Sequence, residues 1–294
     1  VKVRIGVSAG PLSGADDFSA YVEHLENIGI DSLWLSEVVS APMLDPIVGM
    51  THALGLSKRL KVGTGVMVLP GRHPVLVAKQ LVSMAALAPG RVLPAFGLQA
   101  VRAWERGAFP VPAGRRADVF DESLRLLRLL ITEPAVTFAG EFFSVDNASV
   151  GLLPDAPLDI WLGGRVDAAF RRVGRYGDGW LASLVTPEEA SIGRAAIESV
   201  ATEYGRVVDP EHFGLSLAIG LGALSPELAR SVATQRRDVD VADLVPVGWA
   251  AARKRISEYV EAGLSKFVVR PAGPVPSHAA FASQVLEELG PLQS

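Results

Sequence analysis

Eight short apolar runs, regularly interrupted by amphipathic ones, constrain this chain more than any other feature. The runs are "VRIGVSA" (3–9), "DSLWLS" (31–36), "KVGTGVMVL" (61–69), "RVLPAFGL" (91–98), "LDIWLGG" (158–164), "DGWLAS" (178–183), "FGLSLAIGLG" (213–222) and "KFVVRP" (266–271). Apolar, β-branched runs of this length read as strands buried on both faces, and the segments between them carry the three-to-four spacing of helices. "DDFSAYVEHLENIG", "PVLVAKQLVSMAAL", "RADVFDESLRLLRLL", "VDAAFRRVGRYG" and "WAAARKRISEYVEAG" are the clearest of these. Gly29, Gly177 and Gly263 follow the last turns of three of them, where a helix stop is expected. Eight strand–helix units of this kind predict an α/β fold, a closed parallel (β/α)8 TIM barrel. The competing architecture is a doubly wound open sheet, but the first strand–helix turn lacks its G-x-G-x-x-G fingerprint.

A chain of 294 residues is within the range of one barrel domain, so 1–294 is read as a single unit with insertions. These fall at 99–115, which shows little regular pattern, at 132–157, where "AVTFAG" and "EFFSVD" flank a Gly–Glu hairpin turn, and at 223–247. Loops after barrel strands build the walls of a site, which makes these segments candidates for substrate selection.

Composition removes several functions. With no cysteine there is no disulfide, thiolate zinc site, iron–sulfur cluster or cysteine nucleophile. The five histidines (24, 52, 73, 212, 278) have no metal-ligand spacing, so no metal is expected. A net charge of −4 argues against nucleic acid. The opening "VKVRIGVSAG" has no charged leader, and no stretch reaches the ~20 apolar residues of a membrane span, so a soluble, cytoplasmic protein is expected.

Two motifs carry chemistry. In "WLGGR" (161–165) an apolar strand ends in Gly163 and Gly164, with a helix following. Bare amides at a helix N-terminus form an anion site, although a ligand-free tight turn fits the same residues. In "VGTGVMVLPGRHP" (62–74) glycines interrupt a buried strand, which marks either a bulge or the close approach of a ligand. Both motifs face the same barrel mouth, where a flat phosphorylated cofactor would lie with its ring at strand three and its phosphate at strand five. Glu37, ending strand two, is a well-placed carboxylate for acid–base work or, alternatively, an ion-pair partner. Trp34 is core or pocket wall; Trp104 and Glu105 wall a pocket or anchor their loop. Lys61, Lys79 and Lys266 are poorly placed for aldolase chemistry.

"KVGTGVMVLPGRHPVLVAKQL", "PGRVLPAFGL", "VTFAGEFFSV" and "IWLGGR…RRVGRYGDGWLAS", in this order, resemble the bacterial luciferase-like monooxygenase superfamily, and most closely its actinobacterial coenzyme F420-dependent oxidoreductases. The resemblance implies an insertion-bearing (β/α)8 barrel and a non-proline cis peptide at Gly65–Val66, the glycines making room for the ring and Val66 pressing on its face. It implies that the amides of Gly163 and Gly164 take the cofactor phosphate, with Arg165 beside them. Trp34, His73, Gly97, Leu98 and Gln99 are expected near the ring, and Glu37 or His73 as the general acid. Where some members carry an Asp–His pair, this chain has Glu37 and Val38. Where the sugar-phosphate dehydrogenases carry a carboxylate after strand four, Ala100 stands in "GLQA". Sugar-phosphate oxidation is therefore not expected.

The function implied is hydride transfer between F420 and a small organic substrate. The alternatives are an FMN-dependent monooxygenase using oxygen and a non-catalytic F420- or flavin-binding protein. Arg72, Arg102, Arg165 and Arg171 are candidates to favour the acidic tail of F420 over FMN. Relatives pair as dimers, so a homodimer is expected.

Overall fold

The computed structural model describes residues 2–11, 15–100 and 102–293. Its elements follow the chain as β1 (Arg4–Ser8), α1 (Ala15–Ile28), β2 (Ser32–Leu35), α2 (Pro46–Leu56), β3 (Lys61–Thr64), β4 (Met67–Val68), α3 (Pro74–Leu87), β5 (Val92–Leu93) and β6 (Ala95–Gly97). After a 3-10 turn at Ala103–Ala108 come α4 (Arg116–Thr132), β7 (Val136–Ala139), β8 (Ser144–Ala148), β9 (Trp161–Gly163), α5 (Asp167–Tyr176), β10 (Gly179–Ser183) and α6 (Pro187–Glu203). The last third holds β11 (Phe213–Ile219), α7 (Pro226–Gln235), α8 (Val241–Leu244), α9 (Trp249–Glu261), β12 (Lys266–Pro271) and α10 (His278–Leu289).

All barrel pairings are parallel, in the order β4-β6-β9-β10-β11-β12-β1-β2-β3-β5. The two ends of that order are halves of strands already present. β3 and β4 are one strand broken at Gly65–Val66, and β5 and β6 are one strand broken at Pro94, so eight staves close on themselves. Proline lacks the N–H that a central strand donates. Thr64 repairs the break, its Oγ1 accepting from Ala95 N at 2.7 Å and donating to Ala95 O at 2.6 Å.

Alternation along each strand divides the side chains between the helix-facing core and the barrel interior. Trp34 and Trp161 fill the lower interior, edge to face with ring centroids 6.3 Å apart. Strand glycines make that possible. A Cβ on Gly63 would lie 2.7 Å from the Trp34 ring, and one on Gly179 would lie 2.5 Å from Trp161. Gly63 therefore leaves space for a tryptophan rather than for a ligand ring, a correction at that position, whereas a Cβ on Gly65 would meet nothing nearer than 3.9 Å. Beneath the rings Lys266 Nζ donates to Asp31 Oδ2 at 2.8 Å, with Lys61 3.9 Å from the other oxygen. Burial raises the Asp31 pKa, but the two ammonium groups and the Ser32 hydroxyl more than offset it and hold the carboxyl below its ordinary value.

The 132–157 hairpin forms as β7 and β8. Its tip is held by the buried Glu122 of α4, whose carboxylate accepts from the amides of Glu141, Phe142 and Phe143 at 2.7–2.9 Å. The region 223–247 carries α7 and α8, pinned by Arg236 to Glu189 and to the carbonyl of Leu184. Gly29 and Gly263 adopt positive φ after their helices, whereas Gly177 caps α5 in extended backbone. A side chain at Gly177 would crowd Val173 O at 3.1 Å.

Candidate active site at the barrel mouth

The break in strand three builds the floor of the mouth. Gly65–Val66 is a cis peptide, as expected. The segment is tied to strand two at both ends. Ser36 Oγ donates to Gly65 O at 3.1 Å, and Glu37 Oε2 accepts from Val68 N at 2.8 Å. Arg72 closes the clamp from the other side. Its Nη2 lies 2.5 Å from Glu37 Oε1, its Nη1 donates to Glu37 Oε2 at 3.1 Å and to Val68 O, and its guanidinium stacks 4.8 Å from the Phe109 ring centroid. The Glu37 side chain is 5% exposed, so the ion-pair alternative describes its surroundings.

Val66 stands between two glycines of neighbouring staves. A Cβ on Gly97 would lie 2.6 Å from its Cγ2, and one on Gly163 would lie 3.2 Å from its Cγ1. The glycines ending strands four and five thus seat the valine, which stays partly open above the tryptophan layer. Trp34 lies below this floor, fully enclosed, its indole N–H donating to Ser32 Oγ at 3.0 Å. Leu98 is half-buried and Gln99 exposed at the strand end, while Ala100 is buried against Val68 and Phe109.

Beside Gly163 the chain turns through Gly164 at φ +125°, a conformation that favours glycine. A side chain there would meet the Ala169 Cβ at 2.5 Å, and Trp180 Nε1 fixes the Gly164 carbonyl at 2.8 Å. α5 then starts with Val166 as its N-cap, which has no side chain able to accept its first amides. By contrast Asp45, Thr186, Ser225 and Ser277 cap α2, α6, α7 and α10. Arg165 adds a cation here whose recorded hydrogen bond is to a backbone carbonyl, Gln235 O at 3.0 Å. These features suit a phosphate, although α4 and α9 also begin without a side-chain cap.

His73 is exposed at the start of α3, its Nδ1 accepting from Val75 N at 3.3 Å and its ring edge-on to Phe143 of the hairpin. Glu105 is buried. It binds the amide of Ser40 at 2.9 Å and the Ser40 hydroxyl, and these hydrogen bonds lower its pKa. It therefore anchors its loop, whereas Trp104 stands 68% exposed. Arg102 is held by Ser40 and Glu105, and Lys79 by the Val150 carbonyl.

Sequence reasoning missed one cavity, of about 400 Å³, between the ends of β1 and β2 and the start of α2. Its walls include Ala9, Phe18, Leu35, Met43 and Val48, with Ser36 on its edge toward the bulge. The signal available was the apolar stretch "APMLDPIVGM", which has more apolar positions than a loop and helix start require. No group of side chains suited to a metal ion, and no helix long and apolar enough to cross a membrane, occurs among the described residues.

An uncharacterized protein of Mycobacterium tuberculosis is 34% identical over 179 residues, 60% of this chain and 60% of that protein, so the chain matches less than two thirds of that relative's length. The F420-dependent glucose-6-phosphate dehydrogenase of Beutenbergia cavernae is 27% identical over an alignment covering 98% of this chain and 97% of the other. An F420-dependent secondary alcohol dehydrogenase, solved with an F420–acetone adduct, superposes over the full length of both chains with a TM-score of 0.81 at 20% identity, a likeness of fold. The family model for luciferase-like monooxygenases matches residues 2–266, and the chain belongs to that family.

Proposed function

We propose that this protein is an F420-dependent oxidoreductase that transfers hydride between the deazaflavin and a small organic substrate at the barrel mouth. The observation that carries the reading is the floor. Val66 is seated between Gly97 and Gly163, directly beside the open amides of Gly164 and α5. A side chain at either glycine would displace Val66, so the site suits a flat ring lying on the valine with a phosphate at the helix start. When bound, the cofactor supplies the hydride chemistry; the protein's part is binding, orientation and exclusion of water.

The chain's own residues divide that work. Ser36, Glu37 and Arg72 fix the bulge that presents Val66. Gly163, Gly164 and Arg165 hold the phosphate, and Leu98 and Gln99 border the ring. Trp34 supports the floor from below. Of the two acid–base candidates, Glu37 is committed to Arg72 and Val68, whereas among the described residues the Nε2 of His73 has no hydrogen-bond partner, so proton movement falls to His73. The sugar-phosphate activity of the Beutenbergia relative is not carried over, because Val38 and Ala100 stand where the resemblance places the histidine and carboxylate.

Fluorescence titrations of the apo-protein with F420 and with FMN test the reading. Tight F420 binding with weak FMN binding is expected. The reverse moves the protein to the oxygen-using flavin monooxygenases, and binding of neither removes the cofactor assignment. F420 binding without turnover of any alcohol or carbonyl compound would leave a carrier or sensor.

A further inference from the structure

The eighth barrel strand carries a charge that nothing in the fold answers. Along β12, Lys266 reaches Asp31 inside the barrel and Val268 belongs to the interior cluster of Trp34 and Trp161, while Phe267 and Val269 join the helix-facing core. Alternation turns Arg270 inward, one layer above Val268, at the level of the mouth. Among the described residues no hydrogen bond or ion pair engages its guanidinium. Other arginines at the mouth are engaged: Arg72 by Glu37, Arg102 by Ser40 and Glu105, Arg236 by Glu189 and Asp238, and Arg165 by the carbonyl of Gln235 alone. Burial lowers the Arg270 pKa, and no charged neighbour contributes to the shift. Arginine nonetheless remains protonated, and a half-buried cation at the mouth that the chain itself leaves without a counterion is suited to receive one from a ligand.

We propose that Arg270 is the anchor for a carboxylate on the substrate, whose apolar body occupies the 400 Å³ cavity. The two belong to neighbouring strands at the mouth. Val7 of β1 pairs with Val269, which puts Ser8 beside Arg270, and the next residues, Ala9 and Gly10, form one wall of the cavity. Ser8 faces the interior with its hydroxyl bonded only weakly, at 3.4 Å to its neighbour's carbonyl, and is available as a second donor. Ala218, the cross-strand partner of Arg270 on the other side, brings no charge. Among the described residues no second cation acts on Arg270, so its single guanidinium matches a monoanion, and its fork geometry matches a carboxylate. The proposal refines the oxidoreductase reading by naming the substrate class as an organic acid with an apolar chain, and it takes the mouth to be the substrate site of that reading.

Calorimetric titration with hexanoate and with its neutral isostere hexanamide tests it, on apo-protein and on protein loaded with F420. Wild type is expected to bind hexanoate, Arg270→Met to bind it at least tenfold more weakly, and Arg270→Lys to fall between them. Hexanamide binding is expected to be the same in all three. Thermal unfolding of each variant identifies loss of fold, and Arg270→Lys, which keeps the charge, stands as the second variant. Equal hexanoate affinity in wild type and Arg270→Met, or no hexanoate binding to wild type in either state, overturns the proposal. A tenfold loss of F420 affinity in Arg270→Met with hexanoate unaffected also overturns it, by giving Arg270 to the cofactor. If wild type fails to bind F420 while hexanoate binding still depends on Arg270, the cofactor reading falls and the anchor stands.

Discussion

At the lower end of the barrel, Gly6, Gly63, Gly179 and Gly214 are matched by the rings of Trp34 and Trp161 and by the Ser32 side chain, and Lys266 is matched by Asp31. At the mouth, Gly97 and Gly163 are matched most closely by the methyl groups of Val66, and Arg270 is matched by nothing among the described residues. The same two materials, strand glycines and an inward cation, occur at both ends. Below, each is complemented by the chain itself, which closes the core and stabilises the fold. Above, the complement is left to whatever binds. A missing side chain in a strand therefore does not distinguish a ligand site from an accommodated tryptophan; what distinguishes them is whether the space is already filled.

The largest test of this contrast is Lys266→Met, which leaves Asp31 buried with Lys61 as its distant partner. Stripping one member from a buried pair costs about 3–4 kcal/mol, measurable by urea unfolding. Arg270→Met, by contrast, is expected to leave stability unchanged or improved, because it removes an unpaired charge. A comparable loss from both substitutions would erase the distinction.

Alanine in place of glycine sharpens it further. At Gly63 the new methyl meets the Trp34 ring and the Leu93 carbonyl at 2.7–2.8 Å, so Gly63→Ala is expected to cost about 2–3 kcal/mol as overpacking. At Gly97 the methyl meets only the half-exposed Val66 side chain, which is able to yield, so Gly97→Ala costs about 1 kcal/mol. Cofactor affinity is expected to run the other way, falling tenfold or more for Gly97→Ala while folded Gly63→Ala binds as wild type does. If both variants lose affinity in proportion to stability, the floor has no special role.

Glu37→Gln should cost about 1–2 kcal/mol, because it removes the charge from the pair that holds Val68. Its companion effect, weaker cofactor binding without a shift in the pH dependence of turnover, would fit a clamp; a shifted acid limb would restore Glu37 as the general acid. The smallest effect concerns acid stability. The Asp31 carboxyl has a folded pKa below its unfolded one, so its contribution is complete above about pH 4 and is lost as pH falls through the folded value. Circular dichroism of the wild type at falling pH should show this loss, whereas Asp31→Asn, itself destabilised at neutral pH because it leaves Lys266 unpartnered, should show a flat curve there.

Much of the fold was legible locally. The eight apolar runs became the eight staves, the hairpin formed where "AVTFAG" and "EFFSVD" flank their turn, and Gly164 turned the chain from strand to helix. The break at Pro94 was also visible, but the hydroxyl of Thr64 that repairs it was not, since it comes from the preceding stave. Of the candidate site, the cis peptide lies where the family resemblance put it, and the uncapped start of α5 where "WLGGR" put it. The reason for Gly63 was misread, and the upper cavity and Arg270 were passed over. Arg270 had a signal, being a charged residue at the inward position of the alternating run "KFVVRP".

By itself, then, the sequence determined whatever depends on near neighbours: strand and helix periodicity, the helix stops at Gly29 and Gly263, and the exclusion of thiol chemistry. Tertiary structure alone decided which glycine faces a tryptophan and which faces Val66, which acid Arg72 meets, and that Arg270 meets none among the described residues. The physical reason is that these are pairings between staves far apart in the chain. Space and charge at such a point are set by the side chain that barrel closure brings opposite, and no local pattern encodes it.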